Sequence, residues 1–297
     1  MFKIIRNRKF WYIVSGSMVV LAIVFLIIFR LRVGIDFTGG SIIVYKTSDT
    51  NSQLIIENEL KANDIDSYQI KSSGKDEITV KTKPLEQGTD AKILKELQVK
   101  IPGISEVSFD TIGPTIGKDL TNKSILAVIF ASLGIIMYVA YSFRRIPKPL
   151  NSWKFGVLAV LALVHDLLIT TGIVALLGHY FAFMEVDALF ITALLTIMGF
   201  SVHDTIVIYD RLRENFIKNP HESFDIVAEK SVNQTIARSI NTSLTAILVL
   251  LALFLLGAGS IRHLVLTLLI GMFIGTYSSI FVAAPLAVSW HKLVRKS

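Results

Sequence analysis

WYIVSGSMVVLAIVFLIIF, residues Trp11–Phe29, is an unbroken apolar run with Lys3, Arg6, Arg8 and Lys9 before it and Arg30-Leu31-Arg32 after it. A helix needs about 20 apolar residues to cross the hydrocarbon core of a bilayer, and this run has that length, with Trp11 and Tyr12 placed to anchor at the headgroups. A secretory signal has a shorter apolar core and ends in small residues at a cleavage site. Charged residues stand there instead, so the sequence predicts a retained transmembrane helix over 11–29.

Composition extends the same reading to the whole chain. Of 297 residues 52% are hydrophobic and only 18% charged, and the mean hydropathy is +0.59. A soluble domain carries about 25% charge, so much of this apolar surface faces lipid. Apolar runs predict five further spans at 124–143, 155–178, 186–209, 235–256 and 264–289, leaving short tails at 1–10 and 290–297. The net charge of +7 does not point to nucleic acid, because the basic residues flank the apolar runs in the positive-inside manner of membrane proteins. Arg144, Arg145, Lys148 and Lys154 lie between the second and third spans, Arg211, Arg213 and Lys218 follow the fourth, and Lys292, Arg295 and Lys296 follow the sixth. The opposite short loops carry only Arg262. The expected placement is a multi-pass protein of the cytoplasmic (inner) membrane with both termini cytoplasmic; Arg30 and Arg32 oppose this but are outnumbered. The absence of cysteine excludes disulfides, thiolate metal sites and a cysteine nucleophile.

Residues 30–123 then form an extracytoplasmic insertion. Ser41–Tyr45 is rich in β-formers, and Ser52–Ala62 places Ile55, Ile56 and Leu60 on one helical face. Tyr68 and Ile70, then Ile78 and Val80, alternate on either side of Ser72-Ser-Gly-Lys-Asp76, a hairpin signal. Asp90 can cap a helix carrying Ile93, Leu94, Leu97 and Ile101, stopped by Pro102-Gly103, and Val107 and Phe109 alternate in a last strand. The order β-α-β-β-α-β is a split βαβ, ferredoxin-like α+β plan. The expected fold is therefore an all-α six-helix membrane bundle with an inserted ferredoxin-like α+β domain.

Ionisable groups inside spans cost about 2.5–3.5 kcal/mol on insertion scales, and on that ground are functional candidates. The third span holds His165-Asp166, the fourth His203-Asp204, and the fifth opens on a polar turn containing Arg238. Counted from their span ends at about 1.5 Å per residue, Asp204 and Arg238 lie at similar depths, so they can pair across adjacent helices. With Asp166, His165 and His203 they could make a ladder that passes protons. Snorkelling of Arg238 to the headgroups and plain interhelical hydrogen bonding by either histidine are the competing readings. Adjacent His and Asp residues point about 100° apart on a helix, so neither pair predicts a metal site. No cofactor is expected beyond protons as coupling ion. Gly271 and Gly275 form a small-xxx-small pattern that predicts close helix packing.

These segments resemble the SecD/SecF family of bacterial protein export, within the resistance-nodulation-division superfamily. The resemblance rests on Gly34-Ile-Asp36-Phe-Thr-Gly39-Gly40, Gly113-Pro114-Thr-Ile-Gly117, His165-Asp166, Gly199-Phe-Ser-Val-His-Asp-Thr205 with Asp210-Arg-Leu-Arg-Glu-Asn215, Arg238-Ser-Ile-Asn-Thr-Ser243 and Gly275-Thr-Tyr-Ser-Ser279. It implies one half of a superfamily transporter fold, paired with a SecD-like subunit beside the SecYEG translocon and using the proton-motive force on a preprotein substrate. It further implies Asp204 as a proton-carrying carboxylate and Arg238 as the charge that modulates it. One position departs: His203 stands where many members have Asn. Gly39, Gly40, Gly113, Pro114 and Gly117 are expected to act as hinges or as plain turns in the two tethers of the outer domain. The expected protein is a transporter component, not an enzyme.

Three other classes fit less well. A small-molecule exporter of the same superfamily normally carries two six-helix halves and larger outer domains. An intramembrane protease needs serine or aspartate motifs that neither Asp166 nor Asp204 lies in. A scaffold subunit without proton chemistry leaves the buried carboxylates unexplained.

Overall fold

The computed structural model describes residues 2–47, 52–65, 67–72, 76–86, 88–144, 152–181 and 183–296. The expected hairpin turn at Ser73-Gly74-Lys75 and the basic residues Arg145 and Lys148 lie outside them. In chain order the elements are α1 Arg8–Phe29, α2 Ile35–Thr38, β1 Gly40–Lys46, α3 Ser52–Ala62, β2 Tyr68–Ser72, β3 Glu77–Thr82, α4 Thr89–Lys100, β4 Ser105–Ile112, α5 Pro114–Ser142, α6 Ser152–Tyr180, α7 Ala188–Lys218, α8 Phe224–Leu256, α9 Arg262–Ser278 and α10 Ala284–Lys296. They divide into two compact units, Val33–Ile125 and the remainder of the chain.

The inserted unit is a four-stranded sheet in the order β2-β3-β1-β4, every neighbouring pair antiparallel. Period-2 alternation sends Ile43 and Tyr45 from β1 and Ile78 and Val80 from β3 into one core. Ile56 and Leu60 of α3 and Ile93 and Leu97 of α4, spaced one turn apart, close over them. Each such buried side chain contributes about 1.5–3 kcal/mol, which is how a unit without disulfides holds together. At its surface Glu57 accepts hydrogen bonds from Lys61 Nζ at 2.9 Å and the Tyr68 hydroxyl at 2.8 Å. These two bonds hold its carboxyl below the usual carboxylate range.

The two glycine motifs of this unit meet. Gly39 and Gly40 adopt φ of +70° and +150°, which L side chains rarely do. A Cβ on Gly39 would stand 3.0 Å from Pro114 Cα, and one on Gly117 2.9 Å from the Phe37 carbonyl oxygen. Asp36 lies in the first turn of α2, next to this junction. The glycines therefore serve close backbone approach between the turn before β1 and the start of α5.

Among the described residues of the whole chain, six helices are long and apolar enough to cross a membrane, the last running from Arg262 to Leu293. Helices exceed the apolar runs because hydropathy reads membrane thickness, whereas polar residues continue a helix beyond it. Thus α5 begins at Pro114 and α8 at Phe224, ten or more residues before the runs do. Half the residues of the apolar windows in α6 and α7 are buried, against 11% for α1 and α8 and 6% for α5. The centre of the bundle is accordingly α6, α7 and the last span. Gly271 and Gly275 make the α7–α9 contact possible: a Cβ on either would fall within 3 Å of Ile197 or Ser201 atoms.

The last span is interrupted by a π-helical turn at Ser279–Ala283. Pro285 explains it, since its ring nitrogen cannot donate to the carbonyl four residues back and its ring crowds that carbonyl. The Tyr209 hydroxyl of α7 donates to the Ala283 carbonyl in this turn at 3.1 Å. One turn is thereby fixed to α7 where the helix is least regular.

Candidate functional site in the membrane bundle

Asp166 of α6 is completely buried. Its Oδ2 accepts hydrogen bonds from Ser201 Oγ of α7 and Ser278 Oγ of α9, each at 2.6 Å, and its Oδ1 lies 2.9 Å from His165 Nδ1. Three helices thus converge on one carboxylate. The far nitrogen of this imidazole, Nε2, is buried and without a hydrogen-bond partner among the described residues.

Asp204 of α7 is also buried, at 3% exposure, but it is held differently. Its one side-chain hydrogen bond among the described residues comes from Ser243 Oγ of α8 at 3.4 Å. Ser243 in turn accepts from Thr276 Oγ1 of α9 at 2.6 Å. Hydroxyls of α7 and of the π turn after α9 also meet: Thr205 and Ser279 are 3.0 Å apart, and Ser279 donates to the Ser201 carbonyl at 3.2 Å. A carboxylate away from water keeps its charge only by accepting such bonds, or loses it by taking a proton. Hydroxyls suit both states because each can donate and accept.

The expected pairing of Asp204 with Arg238 is not formed. No ion pair joins them among the described residues; Arg238 is exposed and lines a cleft of about 390 Å³ together with Tyr138, Asp210, Arg211, Glu214 and Thr235. The residues of α8 beside Asp204 are Ser239 and Ser243, both buried. Depth matched, but rotation did not: Arg238 is one residue, hence about 100°, round the helix from Ser239. Its long stem carries the guanidinium outward. His203, one residue from Asp204, is likewise turned to the exposed side of α7. The structure therefore brings His165 to Asp166, and leaves His203 and Arg238 at the rim of the Asp204 site.

Ser201, Ser243, Thr276, Ser278 and Ser279 had no assigned role in the sequence reading, although all five fall in quoted motif segments. The available signal was hydroxyl spacing: Ser201 with Thr205 and Ser239 with Ser243 recur at i, i+4 on the faces that carry or meet the carboxylates. At the opposite end of the bundle from the termini, Asp187 caps α7 by accepting from the Phe190 N–H at 2.8 Å, and lies 2.8 Å from His263 Nε2. Among the described residues no group of three or more His, Cys, Asp or Glu side chains is arranged to hold a metal ion.

Comparison with known proteins gives one consistent result. Residues 92–293 match the family described as protein export membrane protein SecD/SecF, C-terminal, and residues 24–50 match the SecD/SecF GG motif. The protein translocase subunit SecF of Thermobaculum terrenum is 39% identical, over 98% of this chain and 94% of the relative. The SecDF subunit of Bacillus subtilis is 33% identical over 96% of this chain and 37% of its own length. The crystal structure of SecDF from Thermus thermophilus, a translocon-associated membrane protein, superposes with a TM-score of 0.83 at 30% identity. That match covers 98% of this chain and 39% of the SecDF chain, so the present chain spans about two-fifths of that fused protein. With the family match covering residues 92–293 and the relatives aligned over nearly its full length, this chain belongs to the SecD/SecF family of protein-export membrane proteins.

Proposed function

We propose that the chain is a SecF-type subunit that works with a SecD-like partner beside the SecYEG translocon, drawing on the proton-motive force to advance preproteins across the cytoplasmic membrane. The single observation that carries the proton part is the pair of buried carboxylates on α6 and α7, each accepting from hydroxyls of neighbouring helices. A proton crossing about 100 mV releases roughly 2.3 kcal/mol, enough to bias two packings of a helix pair. Asp204 is the exchanging group, since among the described residues a single long hydrogen bond holds it. Asp166 is the anchor that fixes α6, α7 and α9 around it. His203 and Arg238, at the rim, tune access from the cleft on that side.

The fused SecDF relatives support a SecD-like partner, because this chain corresponds to only part of each. Basic flanks support cytoplasmic termini and an extracytoplasmic inserted unit. The strand order β2-β3-β1-β4, antiparallel throughout, supports a split βαβ, ferredoxin-like plan for that unit. The proposed cycle moves protons and polypeptide and leaves the covalent bonds of the preprotein intact, so the subunit acts as a transporter component.

Asp204→Asn tests the proposal. Proton-dependent export by vesicles carrying this chain and its partner should fall at least about tenfold, an effect of about 1.4 kcal/mol on the coupled step, with the complex still assembled. Unchanged export would remove Asp204 from the mechanism.

A further inference from the structure

The first residues of the chain are built into the bundle. Ile4 and Ile5 are buried in its core, and the Glu229 carboxylate of α8 accepts the backbone N–H groups of Ile4, Ile5 and Arg6 at 2.5, 3.2 and 3.0 Å. Asn233, one turn on, accepts from the Phe2 N–H at 2.7 Å and donates to its carbonyl at 2.9 Å. These bonds use the backbone of residues 2–6, so they fix the segment without occupying its cationic side chains.

Those cations divide sharply. Arg8 pairs with Asp225 at 3.2 Å, and Lys292 bonds the same carboxylate. Arg6 and Lys9 are exposed, and neither enters an ion pair among the described residues. Both line a cleft of about 420 Å³ with Asn7, Arg8, Phe10 and Asp225. The cleft's one lining carboxylate is already shared by Arg8 and Lys292, so no carboxylate of the lining is left for the side chains of Arg6 and Lys9. The first turn of α1 contains no acidic residue, and the positive end of that helix dipole adds to the same field. Phe10 is 57% exposed at the point where the apolar run begins. Cations and an exposed apolar ring lining one cleft match a phosphate that carries acyl chains; a free phosphate would have no use for the ring.

We propose that this cleft binds the phosphate of an anionic phospholipid headgroup, with Arg6 and Lys9 as its cations and Phe10 against the upper acyl chain. The backbone clamp by Glu229 and Asn233 preorganises the site, so binding spends little entropy on ordering the segment. It requires only that the six helices lie in a membrane and is independent of the proton chemistry.

The test is native mass spectrometry of the purified full chain titrated with phosphatidylglycerol, and separately with phosphatidylcholine. One tightly held phosphatidylglycerol is expected, with R6Q/K9Q weakening it about tenfold or more, as removing two interfacial cations should. R211Q/K218Q, which removes two cations already bonded to Glu214, should leave it unchanged. Side-chain replacement at Arg6 and Lys9 leaves the Glu229 bonds to backbone in place, so folding is preserved. Equal affinity in R6Q/K9Q, or equal retention of phosphatidylcholine, would overturn the site. Displacement of the lipid by millimolar inorganic phosphate would overturn the lipid assignment and leave a free-anion site.

Discussion

Asp166 and Asp204 are both buried carboxylates on neighbouring central helices, yet one is enclosed and the other is loosely held. Asp166 has two hydroxyl donors at 2.6 Å and an imidazole nitrogen at 2.9 Å, from three positions on three helices. Among the described residues Asp204 has one hydroxyl at 3.4 Å, with Arg238 and His203 exposed at the rim and in no ion pair with it. A carboxylate held by several short hydrogen bonds resists change; a weakly held carboxylate is the one that can alternate between partners or take up a proton. The difference separates the two roles that a transport site requires, an anchor and an exchanger.

The largest effect should come from removing the anchor. Asp166→Ala leaves Ser201 and Ser278 without their short acceptor and opens a void among α6, α7 and α9, so a loss of about 2–4 kcal/mol is expected. Thermal unfolding in detergent should show it, with Asp204→Ala costing clearly less; equal losses would erase the distinction. Next is Gly275→Ala. Its Cβ would stand 2.9 Å from Ser201 Cβ, pushing apart the helices that supply both donors to Asp166, at a cost of about 1–3 kcal/mol. If that variant melts like the parent, the seam is not tightly packed.

Arg238→Gln sharpens the comparison from the other side. Because Arg238 lines a cleft and makes no ion pair with Asp204 among the described residues, its loss should change the salt or pH response of export more than its maximal rate. A loss as complete as that of Asp204→Asn would mean that the two groups pair during the cycle. The smallest effect is expected at a carboxylate in water. Glu57, lowered by Lys61 and Tyr68, adds stability that is present above its unfolded value of 4.5 and is lost as pH falls through its folded value. Protection factors in α3 of the full chain, taken against the intrinsic exchange rate at each pH, should therefore fall slightly as the sample is acidified below that range, and Tyr68→Phe should move the onset to higher pH. Protection factors insensitive to pH there would refute the pairing.

Much of the architecture was legible because its signals are local. Apolar run length pointed to the six helices that are long and apolar enough to cross a membrane, and alternation at Tyr68, Ile70, Ile78 and Val80 located the hairpin strands. Gly271 and Gly275 signalled the α7–α9 seam, since only small residues let two backbones approach so closely. The site was legible only in part. Residue counts give depth along a helix but not rotation about it, which is why Asp204 and Arg238 matched in level and missed in direction. The hydroxyls around Asp166 carry no individual signature; Ser and Thr are common in spans, and only convergence from α7 and α9 gives Ser201 and Ser278 their role. The anchored N-terminal turn was hidden for a related reason, because Glu229 holds backbone groups, which every sequence has.

Infrared difference spectra of the reconstituted protein, recorded on acidification, test the exchanger and anchor assignment most directly through the C=O stretch of a protonated carboxylic acid. A band that disappears in Asp204→Asn and persists in Asp166→Asn is the predicted result. A band that survives Asp204→Asn and vanishes with Asp166→Asn would contradict it.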